Sequence, residues 1–255
     1  MKFIDTHSHI YDTKFEKDIE AALARCQEQK VEKIYMPNID HRSIDAMLEL
    51  EQKYSQCIAM MGLHPCSVDK NFEKELYLVE NWLNKRDFVA VGEIGLDLYW
   101  DKTFFEQQEE ALSIQINWAK KLKRPIVIHS RNSTAEVLEI LRKHKDEDLQ
   151  GIFHCFGGTK EEAEQIIELG FYLGIGGVLT FKNSKLDKVL ETIDLKHLVL
   201  ETDSPYLAPV PYRGKRNESA YIPLIAQKLA EVKQVSLEEI ALQTSQNAEK
   251  IFVHH

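Results

Sequence analysis

Two histidines two residues apart, His7 and His9, follow the apolar residues Phe3 and Ile4 near the start of the chain. In extended backbone, residues two apart share a face, so both imidazoles can reach one ion. Neutral imidazole is the commonest protein metal ligand near neutral pH. Apolar runs ending in ligand-type residues recur at Gly92-Glu93, Ile126-Val127-Ile128-His129, Ile152-Phe153-His154 and Leu198-Val199-Leu200-Glu201-Thr202-Asp203. A single ending of this kind could be accidental, but the repeated pattern supplies a full donor set.

Two divalent ions about 3.5–4 Å apart need several imidazoles and a carboxylate that bridges them. The expectation is that His7 and His9 hold one ion, and His129 and His154 the other. Glu93 would bridge, and Asp203 would add the last carboxylate and take a proton from the attacking water. Ions so held bring the pKa of water from about 15.7 towards 7, which is hydrolytic chemistry at neutral pH. The donors suit magnesium, manganese, zinc or iron to different degrees. Asp5 shares a face with His7 and is expected to orient an imidazole through its far nitrogen. Glu201 faces the same way as Asp203 and is given a supporting role. The isolated His41, His144 and His197 are read as structural.

Something must bring these ends together. Short β-branched and aliphatic runs predict strands at 2–6, 31–36, 58–63, 88–93, 125–129, 151–155, 171–175 and 198–202. Amphipathic segments at 15–29, 43–54, 72–85, 104–122 and 133–144 predict helices between them, and 220–232 and 237–252 predict two more at the end. Thr159-x-x-Glu162, Ser133-x-x-Glu136 and Ser236-x-x-Glu239 fit the capping box. Strands and helices in alternation suggest a (β/α)8 barrel, with the site at its C-terminal mouth. An open doubly wound sheet would gather its site at one switch point, with a Gly-rich loop after the first strand. Here the donors are spread over strands 1, 4, 5, 6 and 8. One domain spanning 1–253 is expected, with His254 and His255 as a tail or tag remnant.

The 255 residues, 44% hydrophobic and 29% charged, have ordinary globular composition. No run approaches the roughly 20 apolar residues of a membrane span. The start reads as a strand rather than a secretory leader. Cys26, Cys57, Cys66 and Cys155 form no C-x-x-C pair, so reduced thiols in a cytoplasmic protein are expected. A net charge of −9 argues against a broad nucleic-acid footprint, although bound ions add positive charge that this count omits. Arg213, Lys215 and Arg216 share one loop broken by Gly214, a compact cationic clamp suited to phosphate. Tyr99, Trp100, Phe104, Phe105 and Tyr206 follow strands 4 and 8, where they could stack on bases.

The runs Ile4-Asp5-Thr6-His7-Ser8-His9, Gly62-Leu63-His64-Pro65, Gly92-Glu93-Ile94-Gly95-Leu96-Asp97, His129-Ser130-Arg131, His154-Cys155-Phe156-Gly157-Gly158 and Glu201-Thr202-Asp203-Ser204-Pro205-Tyr206-Leu207 occur in this order. Together they resemble the motifs of the TatD-type metal-dependent deoxyribonucleases, a family of amidohydrolase-like barrels. The resemblance runs from the first strand to Asn247. It implies a two-metal phosphodiesterase acting on DNA, often from the 3′ end. It carries ligand roles to His7, His9, Glu93, His129, His154 and Asp203, and phosphate contact to His64, Arg131 and the loop 212–218. Ser8 stands where many members have Cys, and Ser219 where they usually have Pro.

A hydrolase of a small amide, ester or lactone on the same barrel is the alternative. Such relatives often bridge their metals with a carboxylated lysine at the end of strand 4, where this chain has Glu93. A non-catalytic binding protein would have lost a donor, and all six are present. No membrane or protein partner is implied, and the sequence leaves the oligomeric state open.

Overall fold

A computed structural model describes residues 1–252, so the expected tail and residue 253 lie outside the described residues. The strands are β1 (Phe3–Asp5), β2 (Val31–Met36), β3 (Cys57–Ala59), β4 (Val91–Asp97), β5 (Ile126–Arg131), β6 (Gly151–Phe153), β7 (Phe171–Ile175) and β8 (Leu198–Leu200). The α-helices are α1 (Ile19–Glu28), α2 (His41–Lys53), α3 (Phe72–Lys85), α4 (Phe105–Leu122), α5 (Thr134–His144), α6 (Lys160–Glu168), α7 (Leu186–Leu190), α8 (Ile222–Lys233) and α9 (Leu237–Ile251). All eight expected strands and all seven expected helices have a counterpart. No described helix is long and apolar enough to cross a membrane.

Strands β1 to β3 pair in parallel, and so do β4 to β8. Backbone hydrogen bonds join the two sheets at both edges. Met61 N donates to Ala90 O, and Gly92 N to Met61 O, across the β3–β4 seam. Thr6 N donates to Leu200 O, Asp203 N to His7 O, and His9 N to Ser204 O across the β8–β1 seam. The eight strands therefore close into a (β/α)8 barrel.

Ile4, Tyr35, Met60, Val127, Ile152 and Val199 form one buried cluster with Ala248, Ile251 and Phe252 from the end of the chain. The Phe252 ring stacks on Tyr35 at 4.0 Å between centroids. The end of α9 thus packs against strand side chains with apolar surface. A larger cluster unites the remaining strand faces with the helices around them.

Strand ends differ from expectation where function gathers. Pairing of β6 stops at Phe153 and that of β8 at Leu200, so His154, Glu201 and Asp203 lie just beyond the ladder. Strand β4 instead runs past Glu93 to Asp97. Its register with β5 shifts between Gly92 and Ile94, leaving Glu93 without a partner in the ladder. A bulge of this kind bends a strand and re-aims one side chain. Of the expected capping boxes, Thr159 and Glu162 make both reciprocal bonds, while Ser236 accepts from Glu239 N. Ser133 does neither, because its hydroxyl donates to Leu96 O at 2.8 Å and ties α5 to β4.

Candidate metal centre

The register shift aims Glu93 into the mouth of the barrel, and each of its oxygens meets a different pair of imidazoles. Oε2 lies 3.1 Å from His7 Nε2 and 3.5 Å from His9 Nε2. Oε1 lies 2.8 Å from His129 Nδ1 and 2.9 Å from His154 Nε2. The two imidazole nitrogens of the first pair are 3.3 Å apart, and those of the second 3.5 Å. Asp203 Oδ1 completes the first group at 3.8 Å from His7 Nε2 and 3.6 Å from His9 Nε2. Ligands held 2.0–2.1 Å from a tetrahedral ion are separated by about 3.3 Å. The nitrogens within each imidazole pair, 3.3 and 3.5 Å apart, stand near that spacing, so each pair fits an ion.

Hydrogen bonding supports that fit. Buried Glu93 Oε2 and His7 Nδ1 have no hydrogen-bond partner, although an imidazole nitrogen lies near Oε2. A buried carboxylate oxygen without a partner is costly unless a positive charge faces it. Tyr11 donates its hydroxyl proton to Pro37 O, so it can only accept from His9 Nδ1, 2.9 Å away. That leaves the lone pair of His9 on Nε2, facing Glu93 and Asp203. His64 has the opposite tautomer. Its Nδ1 accepts from Cys66 N at 3.0 Å, which puts its proton on Nε2, 3.3 Å from Glu93 Oε1. His64 is thus arranged as a donor into the site rather than as a ligand.

Electrostatics of the protein groups follow the same geometry. Burial by itself would raise the Glu93 carboxyl, but His154, His64 and His7 outweigh it and hold it well below the usual range. Burial drives His7 well below the ordinary imidazole value, with His154 adding to the effect. Burial also lowers His154, yet Glu93 and Glu201 overcome this and raise it well above ordinary. The Asp203 carboxyl is raised, chiefly by burial. Asp203 has φ +55° and Cys155 has φ +49°. Left-handed backbone at non-glycine residues costs about 1–3 kcal/mol and gathers at functional sites.

Two supporting roles come out differently. Asp5 does not reach an imidazole: its carboxylate accepts from His7 N, Thr202 N and Thr202 Oγ1. It joins β1 to β8 because its side chain turns towards the backbone of the seam. Glu201 accepts from Cys155 N at 2.6 Å and lies 3.5 Å from His154 Nδ1, on the side away from the donors.

The expected substrate contacts divide. Arg131 is exposed with its guanidinium 4.1 Å from the Tyr99 ring and 5.2 Å from that of Trp100. Arg213 is exposed over Phe181 at 3.7 Å, and Lys215 is exposed 5.7 Å from Tyr212. Arg216 departs from the proposed clamp. It is bound to Asp18 at 2.6 and 2.7 Å and to Glu218 at 2.8 Å, and lies over Phe15, so it fastens the loop to the N-terminus of α1. Phe104 and Phe105 pack against the core, leaving Tyr99, Trp100 and Tyr206 exposed. A cavity of about 300 Å³ opens beside His154, lined by Arg131, Asn132, Phe156 and Gly158 among others.

The two departures from the family pattern meet in space. Ser8 Oγ is 2.7 Å from Ser204 Oγ and accepts from Ser219 Oγ at 3.2 Å, with all three residues buried. Each buried hydroxyl has a partner, as burial requires. Residues to which the sequence assigns no role also enter the site. Tyr11 holds His9, and Asp97 Oδ2 lies 2.9 Å from His129 Nε2. Asp97 carried a signal, because it lies an even number of residues from Glu93 on one strand.

Comparisons with known proteins agree with this architecture. A family model described as "TatD related DNase" matches residues 4–253. The uncharacterized metal-dependent hydrolase YabD of Bacillus subtilis is 38% identical, covering 97% of this chain and 98% of the relative. The uncharacterized metal-dependent hydrolase YcfH of Escherichia coli is 32% identical over 99% of this chain and 96% of its own. The crystal structure of YjjV, a TatD homologue from E. coli, superposes with a TM-score of 0.93 at 32% identity, covering 99% of this chain and 98% of that one. With the match spanning nearly every described residue, the chain belongs to the TatD-related DNase family of metal-dependent hydrolases.

Proposed function

We propose that this protein is a metal-dependent deoxyribonuclease that hydrolyses DNA phosphodiester bonds, working from 3′ ends of single or frayed strands in the cytoplasm. The observation that carries the reading is Glu93, whose two oxygens each face a separate pair of imidazoles. His7, His9 and Asp203 would hold one ion and His129 and His154 the other, with Glu93 shared. When bound, the two ions supply Lewis acidity that makes water nucleophilic near neutral pH and offsets charge on the phosphate.

The protein groups divide the remaining work. Asp203, with its carboxyl raised by burial, accepts the proton of the attacking water. His64 points its Nε2–H into the site and donates to a phosphate oxygen. Arg131, Arg213 and Lys215 offer charge to neighbouring phosphates, while the exposed faces of Tyr99, Trp100 and Tyr206 offer stacking surface. A carboxylate in the bridging position and cations around the mouth favour a phosphodiester over a small amide, ester or lactone.

The test is hydrolysis of a single-stranded DNA oligonucleotide labelled at its 5′ end, with magnesium, manganese or zinc, with chelator, and with His129→Ala protein. A metal-dependent ladder shortening from the 3′ end, absent in the variant, is expected. Ions bound without cleavage under any metal would overturn the nuclease reading in favour of a small-molecule hydrolase.

A further inference from the structure

We propose that Asp97 is a positioning residue that fixes the tautomer of His129 and so determines whether the second ion group can form. Asp97 Oδ2 lies 2.9 Å from His129 Nε2, while His129 Nδ1 is the nitrogen that faces Glu93 and His154. Glu93 Oε1 lies 2.8 Å from Nδ1, so each ring nitrogen faces a carboxylate; when an ion takes up the Nδ1 lone pair, the proton of a neutral His129 stays on Nε2, where Asp97 accepts it. His129 would thus bind through Nδ1, an orientation that a fixed acceptor on the Nε2 side maintains.

Asp97 is itself held from several directions. Its Oδ1 accepts from Tyr99 N at 2.9 Å and from Trp100 N at 3.0 Å. Its own N donates to Gln108 Oε1 at 2.9 Å, and Gln108 is buried on α4. One oxygen therefore belongs to the 99–100 turn and the other to His129. The same carboxylate ties the exposed Tyr99–Trp100 pair, with Arg131 stacked on it, to a residue of the ion site.

This arrangement makes Asp97→Asn informative. The two backbone N–H groups select the amide oxygen, which leaves the NH2 facing His129 Nε2. That nitrogen must then accept, the proton moves to Nδ1, and Nδ1 can no longer bind an ion. Volume and the turn contacts are preserved, so the variant is expected to fold.

The proposal rests on the reading of His129 as a ligand but not on the identity of the substrate. Zinc retained after dialysis would be counted for the wild type, Asp97→Asn and His129→Ala. In parallel, 15N NMR of the histidine rings of zinc-loaded wild type would report which His129 nitrogen carries the proton. The expected result is a proton on Nε2 in the wild type, with affinity at the second group falling about 10–100-fold in Asp97→Asn. If His129→Ala loses zinc and Asp97→Asn does not, the proposal is overturned while the ligand reading stands. If His129→Ala also retains all its zinc, the ligand reading itself fails. A wild-type proton on Nδ1 would overturn the proposal even if Asp97→Asn did not fold.

Discussion

Glu93 concentrates most of the site's electrostatics in one side chain. Four of the other five expected donors touch it, and it is buried with one oxygen lacking a hydrogen-bond partner. Glu93→Gln keeps the volume but removes the charge and gives one end of the group N–H donors, which cannot bind an ion. Turnover is expected to fall at least about 10²–10³-fold, comparable with losing a principal electrostatic group. Steady-state kinetics and circular dichroism together would check this, since near-normal turnover in a folded variant contradicts a bridging role. That His7, His9, Glu93, His129, His154 and Asp203 come together at one mouth is legible from strand-end pattern and motif. Their supporting contacts are not. Asp97 lies inside a recognised motif without a role of its own, and Asp5, expected to orient an imidazole, binds two backbone N–H groups and the Thr202 hydroxyl instead, because strand period gives a facing and not a partner.

The alternation of strands and helices is readable along the chain, but strand ends are placed poorly where the ladder breaks. Apolar content marks burial, whereas the end of β4 depends on a register shift that leaves no compositional trace. Close approach in this region is testable at Gly95, which has φ +150°, and where a Cβ would lie 1.9 Å from His129 O. Gly95→Ala must strain the backbone or push β4 away from β5, so a cost of about 1–3 kcal/mol is expected, together with weaker ion binding. A urea titration and zinc retention would show both, and an unaltered midpoint would refute the packing argument. The loop after β8 offers a second case. Arg216 holds the Asp18 carboxyl down to about 2. With a depressed folded-state pKa, that contribution is complete above the ordinary value near 4 and is lost as pH falls through about 2. In Arg216→Ala the stability deficit seen in urea at pH 7 should therefore shrink between pH 4 and pH 2. A deficit independent of pH would mean that packing on Phe15 dominates the role of Arg216.

On the proposed nuclease reading, an acidic protein must confine its attraction for DNA to one end. The net charge is −9, yet Arg131 at the end of β5 and Arg213 and Lys215 on the loop after β8 are exposed. Replacing all three with Gln should weaken DNA binding and reduce the slope of log affinity against log salt by up to about 0.7 for each phosphate no longer neutralised, the value for single strands. An unchanged slope in a binding assay would remove these residues from the DNA path. Closure of the barrel poses the last question, because its β8–β1 seam depends on a buried carboxyl. Burial pushes Asp5 up to about 7, despite hydrogen bonds from Thr202 and Ser219 that lower it. With its folded-state pKa raised above the ordinary value near 4, the group binds its proton more tightly in the folded protein. Its contribution is therefore complete below about 4 and is lost as pH rises through about 7. Asp5→Asn should flatten that decline, since an amide oxygen still accepts from His7 N and Thr202 N and the Thr202 hydroxyl can turn to accept the amide N–H. Asp5→Ala should instead leave both backbone donors unpaired, at about 1–3 kcal/mol each. Denaturation midpoints of the wild type and both variants from pH 4 to 8 would decide the matter. If Asp5→Ala proved as stable as Asp5→Asn, the seam would be held by its backbone ladder alone.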